Sequence, residues 1–299
     1  MNILLLGKNG QVGWELQRAL APLGSVVALD LDDCGDLCGD LQDQEGLRRT
    51  LRTLKPAITV NAAAWTAVDK AEEEKEAATR INGLAPAILA EEIRRLNGWL
   101  IHYSSDYVYD GSGHLPWTET APTGPLNHYG KSKLQGDEAI MASGCRHLIF
   151  RTSWVYARRG NNFAKTMLRL AREREILQVI EDQVGAPAGA DLIADVTAHC
   201  LRSALKDETL SGLYHLAPSG TTSWHGYASF VVEKAREAGE ILAVREIRPI
   251  PTSAYPTPAQ RPLNSRLHTR KLETRFGLHL PSWQDGVHRM IQEITGKTS

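Results

Sequence analysis

The sequence predicts an α/β fold, a doubly wound parallel sheet followed by a smaller C-terminal lobe. Three observations carry that prediction. Short, continuously apolar runs, of which Ile3 to Leu6 is the first, read as strands covered on both faces and alternate with helical patterns through the first half of the chain. A glycine-rich turn joins the first run to the first helix. Beyond about residue 150 the alternation loosens, and the stretch from Pro249 to Pro262 carries five of the 14 prolines.

Ile3 to Leu6 passes directly into Gly7-Lys8-Asn9-Gly10-Gln11-Val12-Gly13. Val12, Leu16, Ala19 and Leu20 then recur at helical spacing, and Ser25 to Leu29 is a second strand closing on Asp30. Strand, glycine turn, helix, strand and acidic residue form the dinucleotide-binding arrangement of a Rossmann sheet. Glycines let the backbone N–H groups of residues 7 to 13 approach a pyrophosphate at the helix N-terminus. Asp30 stands where a carboxylate accepts from both ribose hydroxyls and repels a 2′-phosphate. Lys8 either offsets that repulsion or is a solvated loop lysine, so NADPH and NADH are both expected cofactors. Asp40 and Leu41 are placed by the adenine, with Asp40 alternatively capping a helix from Gln42 to Leu54.

Ala57 to Val60 is a third strand. It ends in Asn61-Ala62-Ala63-Ala64, whose small side chains leave room for a flat cofactor. A long helix is expected from about Lys75 to Leu96, then a fourth strand from Trp99 to Ser104, followed by Ser105 and Asp106. Chemistry in open parallel sheets gathers at strand C-termini, so the Ser105 hydroxyl is a candidate to hold a substrate carbonyl, with Asp106 beside it. Asn127 is a candidate N-cap for the next helix, which puts Tyr129 and Lys133 four residues apart on one face. A phenol is a poor acid, with a reference pKa of about 10. A nearby lysine ammonium favours the phenolate and improves the proton donor. Reduction of a carbonyl by hydride needs such a donor, because negative charge builds on oxygen.

In the second half, His147 to Thr152 is a strand, and Asn162 to Arg174 a helix. Ile176 to Ile180 and Gly212 to Leu216 read as strands, Asp191 to Leu205 and Trp224 to Ala238 as helices, and Pro249 to Pro262 as an extended loop. Residues 1–150 are expected to form the dinucleotide-binding part. Residues 151–299 are expected to form mainly a substrate lobe, with some segments returning to the sheet. Trp154, Asn162 and Phe163 then look into the cleft. Trp154 either offers its flat face to a sugar or packs in the core. Arg261 either meets a phosphate or makes a surface ion pair.

A net charge of -1 points to no nucleic-acid partner and no membrane surface. No apolar run reaches spanning length, and a strand-like run already starting at Asn2 leaves no room for a signal peptide. Cys34, Cys38, Cys145 and Cys200 match no metal-ligand or redox spacing and read as thiols of a reducing cytoplasm.

Gly7/Gly10/Gly13, Asn61-Ala62-Ala63, Ser104-Ser105-Asp106-Tyr107-Val108-Tyr109 and Tyr129-x-x-x-Lys133, in that order, resemble the extended short-chain dehydrogenase/reductases. More narrowly, residues 61–69, Arg151-Thr152-Ser153-Trp154-Val155-Tyr156, Gly160-Asn161-Asn162-Phe163 and residues 251–258 resemble the dTDP-4-dehydrorhamnose reductases, over Met1 to about Met290. The resemblance implies Ser105, Tyr129 and Lys133 around a nicotinamide, and reduction of the C4 ketone of a dTDP-linked sugar. It also implies a homodimer with Mg²⁺ held by carboxylates: Glu15 matches by position, and Asp191 and Asp195 share a helix face, which otherwise is an ordinary acidic surface. Two positions depart from the family pattern: Ser105 replaces the usual Thr and keeps the hydroxyl, and Trp65 replaces a frequent His. Related dehydratases carry an Asp-Glu pair where this chain has Asp106-Tyr107, which argues against dehydration and says less about epimerisation. A non-catalytic subunit of this fold has no need of both Tyr129 and Lys133.

Overall fold

The computed structural model describes residues 1–33 and 35–296. Cys34 lies outside them. The first half runs β1 (Asn2–Leu6), α1 (Gln11–Leu20), β2 (Ser25–Leu29), α2 (Gln44–Leu54), β3 (Ile58–Asn61), α3 (Lys75–Thr79), α4 (Ala85–Arg95), β4 (Trp99–Ser105), α5 (His128–Ser143) and β5 (Arg146–Thr152). The second half runs β6 (Val155–Tyr156), α6 (Phe163–Glu173), β7 (Ile176–Ile180), β8 (Val184–Gly185), β9 (Ala188–Gly189), α7 (Ala190–Ala204), β10 (Gly212–His215), β11 (Thr222–Ser223), α8 (Trp224–Glu237), β12 (Glu246–Ile250), α9 (Arg270–Phe276) and α10 (Trp283–Thr295).

Six strands pair in the order β10-β5-β4-β3-β1-β2, each neighbour parallel. Alternation along a strand explains why both faces are apolar. Ile3 and Leu5 point into the core shared with Leu16 and Leu20 of α1 and Ile193 of α7. Leu4 and Leu6 point into the opposite core, with Leu47 of α2, Leu89 of α4 and Ile140 of α5. The chain leaves β1 for β2 on one side and returns to β3 on the other. The C-terminal ends of β1 and β3 therefore face a crevice at a topological switch point, where ligands bind in such sheets.

A separate apolar cluster lies outside the main sheet. There α6, α8 and α10 pack Leu168, Val231, Val287 and Ile291 against Leu177 and Val179 of β7, and β7 pairs with β12. α7 and β10 belong instead to the main sheet and its layers.

Three local expectations need correction. α2 begins at Gln44 and is capped by Asp43, whose Oδ1 accepts from Gly46 N at 2.9 Å; Asp40 only closes a short turn with Gln42 N. The long helix over 75–96 is widened by a π-turn at Arg80–Leu84. Pro86 has no N–H to return to the Asn82 carbonyl, so the turn opens there. Finally, the Pro-rich stretch is not all loop. Pro249 and Ile250 belong to β12, in a pair open on its outer side, where a missing N–H is tolerated.

Candidate active site

The crevice holds a cavity of about 740 Å³ whose lining joins both halves of the chain. The glycine turn is part of that lining. Gly7 has φ +87°, and a Cβ there would stand 2.7 Å from Ala63 N; a Cβ at Gly13 would stand 1.9 Å from Gly7 O. Glycine is thus required at both for the turn to close against β3. Gly10, as N-cap of α1, makes no side-chain cap bond, and the first turn of α1 carries no acidic residue. The orphan N–H groups of that turn meet the cavity at Gln11 and Val12. This cradle fits a dinucleotide pyrophosphate.

Asp30 ends β2 on the cavity, but both its oxygens are in use: Oδ2 accepts from Asn9 N at 2.8 Å and Oδ1 from Leu31 N at 2.9 Å. Lys8 does not face the crevice as a counterweight. Its Nζ donates to Asp33 Oδ2 at 2.6 Å, and the same Asp33 oxygen accepts from Asp30 N at 2.7 Å. Asn9, Asp40, Leu41, Ala62, Ala63 and Ala64 line the cavity beside them.

Tyr129, Ser105 and Lys133 line the same cavity. Asn127 caps α5 by accepting from Gly130 N at 2.8 Å, which places Tyr129 in the first turn. Ser105 ends β4; its Oγ donates to Asp106 Oδ1 and accepts from Tyr107 N, both at 3.1 Å. Burial pushes the Tyr129 phenol pKa up, opposed by a hydrogen bond with Ser105. This reverses the sign expected from the Tyr–Lys spacing. The Lys133 ammonium is directed instead to Tyr103 O at 2.6 Å and lies 3.4 Å from His102 Nε2. It is thus held by β4, and burial dominates the phenol. Asp106 is buried too, and its pKa is pushed up to about 6 by burial, against the Ser265 and Ser105 hydroxyls.

Burial brings the Lys133 pKa down from 10.5 to about 8, opposed by Asp137. Between those values the folded chain binds fewer protons than the unfolded one. Stability therefore rises with pH across that window, and the whole cost of burying the charge is present below it. A shift of this size corresponds to on the order of 3 kcal/mol. Lys133→Met should therefore raise the unfolding midpoint at pH 7, by about 1–2 kcal/mol once the lost Tyr103 hydrogen bond is subtracted, while removing turnover. Thermal melts at pH 7 and pH 10 check this: the gain should shrink at the higher pH.

On the far wall Trp154 lines the cavity in a left-handed conformation, φ 49°, which is strained for a tryptophan. Its ring lies 3.6 Å, centroid to centroid, from Trp224 of α8 at an angle of 15°. Asn162 and Phe163 are placed differently from the sequence expectation. Asn162 caps α6 through Lys165 N at 3.1 Å and donates to Gln11 Oε1 and Ala157 O at 3.0 and 2.7 Å, so its amide is spent on structure. Phe163 packs among Trp224 and Tyr227 in the lobe core. Arg261 lines the cavity, and it makes an ion pair with Asp69 Oδ2 at 2.8 Å while donating to Tyr107 OH at 3.2 Å. Tyr107 in turn meets the Tyr129 ring edge-on at 5.5 Å. Sequence reasoning passed over Tyr107, Asp69 and Trp224 as site residues. Tyr107 sits two residues after Ser105 and had a local signal; Asp69 and Trp224 reach the site only through the fold.

Glu15, Asp191 and Asp195 do not make a metal site within the chain. Arg18 pairs with Asp195 at 2.9 Å and Glu15 at 3.6 Å, and Arg289 lies 3.7 Å from Asp191. Guanidinium groups hold the charge a cation would neutralise. Among the described residues no group of three or more His, Cys, Asp or Glu side chains converges as metal ligands. Within the single chain these carboxylates are paired with arginines, and no step of the reaction depends on Mg²⁺.

Comparison with known proteins agrees with this geometry. A family model described as the RmlD substrate binding domain matches residues 1–295. The dTDP-4-dehydrorhamnose reductase of Escherichia coli (strain K12) is 56% identical over 299 residues, which is 100% of each chain. The structure of a dTDP-4-dehydrorhamnose reductase from Clostridium acetobutylicum superposes with a TM-score of 0.88 at 31% identity, covering 98% of this chain and 99% of that one. Another from Bacillus anthracis, in complex with NADP, gives 0.86 at 30% identity with the same coverage. By the extent of these matches, the chain belongs to the dTDP-4-dehydrorhamnose reductase family.

Proposed function

We propose that the chain reduces the C4 ketone of dTDP-6-deoxy-L-lyxo-4-hexulose to dTDP-L-rhamnose with NADPH or NADH, the last step of dTDP-rhamnose synthesis. The observation that carries this reading is the shared cavity, lined by the glycine turn together with Ser105, Tyr129 and Lys133. A bound reduced nicotinamide supplies the hydride. Ser105 Oγ holds the carbonyl oxygen, and the Tyr129 phenol gives it a proton as charge develops. A high phenol pKa keeps that proton in place until then. Lys133 reaches the nicotinamide ribose by leaving Tyr103 O. Trp154 and Trp224 give the sugar a flat wall, and Arg261 reaches the diphosphate by exchanging Asp69 for it. Binding energy from that diphosphate helps orient the reacting sugar, so a free deoxy-hexulose should be a poor substrate. Dehydration needs a second carboxylate beside Asp106; Tyr107 stands there and bonds Arg261 instead. The reading places the work in the cytoplasm, where reduced nicotinamide is generated, and no helix among the described residues is long and apolar enough to cross a membrane.

The test is reduced-cofactor-dependent conversion of the keto-sugar, with product identified by NMR. Turnover of a different 4-keto nucleotide sugar alone would retain the reductase and reject the rhamnose assignment. Cofactor choice gives a further prediction. Asp30→Ala removes the charge that repels a 2′-phosphate and frees Asn9 N–H. The ratio of kcat/KM values should move toward NADPH; an unmoved ratio would mean that Asp30 does not face the ribose.

A further inference from the structure

Asn61 and His102 are each buried to 1% exposure beneath Lys133, and nothing in the proposed reaction uses them. Asn61 Oδ1 accepts Ala63 N–H at 3.3 Å. That contact orients the amide, since its NH₂ turned the other way would face an N–H. Nδ2 is thus the atom 3.2 Å from His102 Nδ1. A donor opposite Nδ1 makes Nδ1 the acceptor, and a neutral ring then carries its proton on Nε2. Burial, with Lys133 beside it, holds the His102 pKa well below the ordinary value, so the ring is neutral.

Nε2 faces Lys133 Nζ at 3.4 Å. An ammonium has three donors and no lone pair, so it cannot accept from Nε2–H. The contact is a hydrogen bond only with the neutral amine. We infer that His102, locked by Asn61 with its proton on Nε2, is a positioning residue for hydride transfer that sets the protonation state of Lys133. Its influence opposes Asp137, one turn along α5, which favours the ammonium. Asp137 is itself paired with Arg151 of β5. Besides His102 and Asp137, the Tyr129 phenol of α5 lines the same cavity as Lys133. The outcome is a lysine able to change charge near neutral pH, which a site that must restore the Tyr129 proton each cycle requires. The inference rests on the reductase reading only for its kinetic part.

Two measurements test it. In ¹⁵N NMR of the histidine-labelled full chain, His102 should be neutral and protonated on Nε2 across the neutral range; protonation on Nδ1 overturns the inference whatever the activity. In kinetics, His102→Gln lets a carbonyl oxygen turn toward Nζ and accept from it. The alkaline fall in the kcat profile for keto-sugar reduction should then move up by about one pH unit, with the unfolding midpoint near wild type. A lower rate with the fall at unchanged pH would mean a merely structural role and sink the idea. If the variant does not fold, the tautomer measurement decides. A wild-type chain without reductase activity would refute the proposed function and leave the tautomer result standing.

Discussion

Tyr129→Phe should lower turnover of the 4-keto sugar by about 10²- to 10⁴-fold, the usual scale for loss of a general acid, and leave cofactor affinity nearly unchanged. The ring is retained, and so is its edge contact with Tyr107; only the hydroxyl that bonds Ser105 is lost. Ser105 would still hold the carbonyl oxygen, but the phenol that gives it a proton would be gone. Steady-state oxidation of NADPH gives the rate, and quenching of protein fluorescence on cofactor titration gives the affinity. A variant turning over at near wild-type speed would remove Tyr129 from the chemistry.

Arg151→Met should cost about 3–5 kcal/mol of folding stability, the range for breaking a buried ion pair from one side. Arg151 and Asp137 are 2% and 0% exposed, joined at 3.0 Å through Nε and Oδ2. Asp137 also accepts from Ser104 Oγ at 2.9 Å, and Arg151 donates to Tyr109 OH at 2.8 Å, which meets His215 Nε2 at 2.7 Å. Burial pushes the Asp137 pKa up despite the guanidinium. With Arg151 gone, the carboxylate must either take a proton or stay charged and unpaired. Adding Asp137→Leu should recover much of the loss, because two apolar residues leave no uncompensated charge. Urea unfolding of the four species in a double-mutant cycle measures this; a single mutant within 1 kcal/mol of wild type, roughly the scale of an exposed pair, would show that the pair is not carrying charge.

The sheet and its crevice were legible because their signals are local. The apolar run Ile3 to Leu6, the glycines at 7, 10 and 13 and the cap at Asn127 each act within a few residues, and the structure places them where spacing implied. What was not legible depends on pairings distant in the chain. Arg261 finds Asp69 across 192 positions, and Trp154 finds Trp224 across the lobe. Strand logic sets Lys8 beside Asp30, but its ammonium pairs with Asp33. The sign of the Tyr129 shift failed for a related reason: spacing puts Lys133 on the same helix face, whereas the reach of its ammonium depends on the Tyr103 carbonyl of another element. α10 carried a readable cap at Ser282 and apolar residues at 283, 287, 290 and 291, a pattern overshadowed by the proline-rich stretch before it.

The stacked indoles of Trp154 and Trp224 have an optical consequence. At 3.6 Å and 15° their transition dipoles couple, and coupled chromophores in a fixed chiral arrangement give a split near-ultraviolet circular dichroism band. A sugar that settles against Trp154 must shift one ring relative to the other or screen the pair. A sugar held there would then be visible in the unlabelled protein, separately from the nicotinamide absorbance that reports on cofactor turnover.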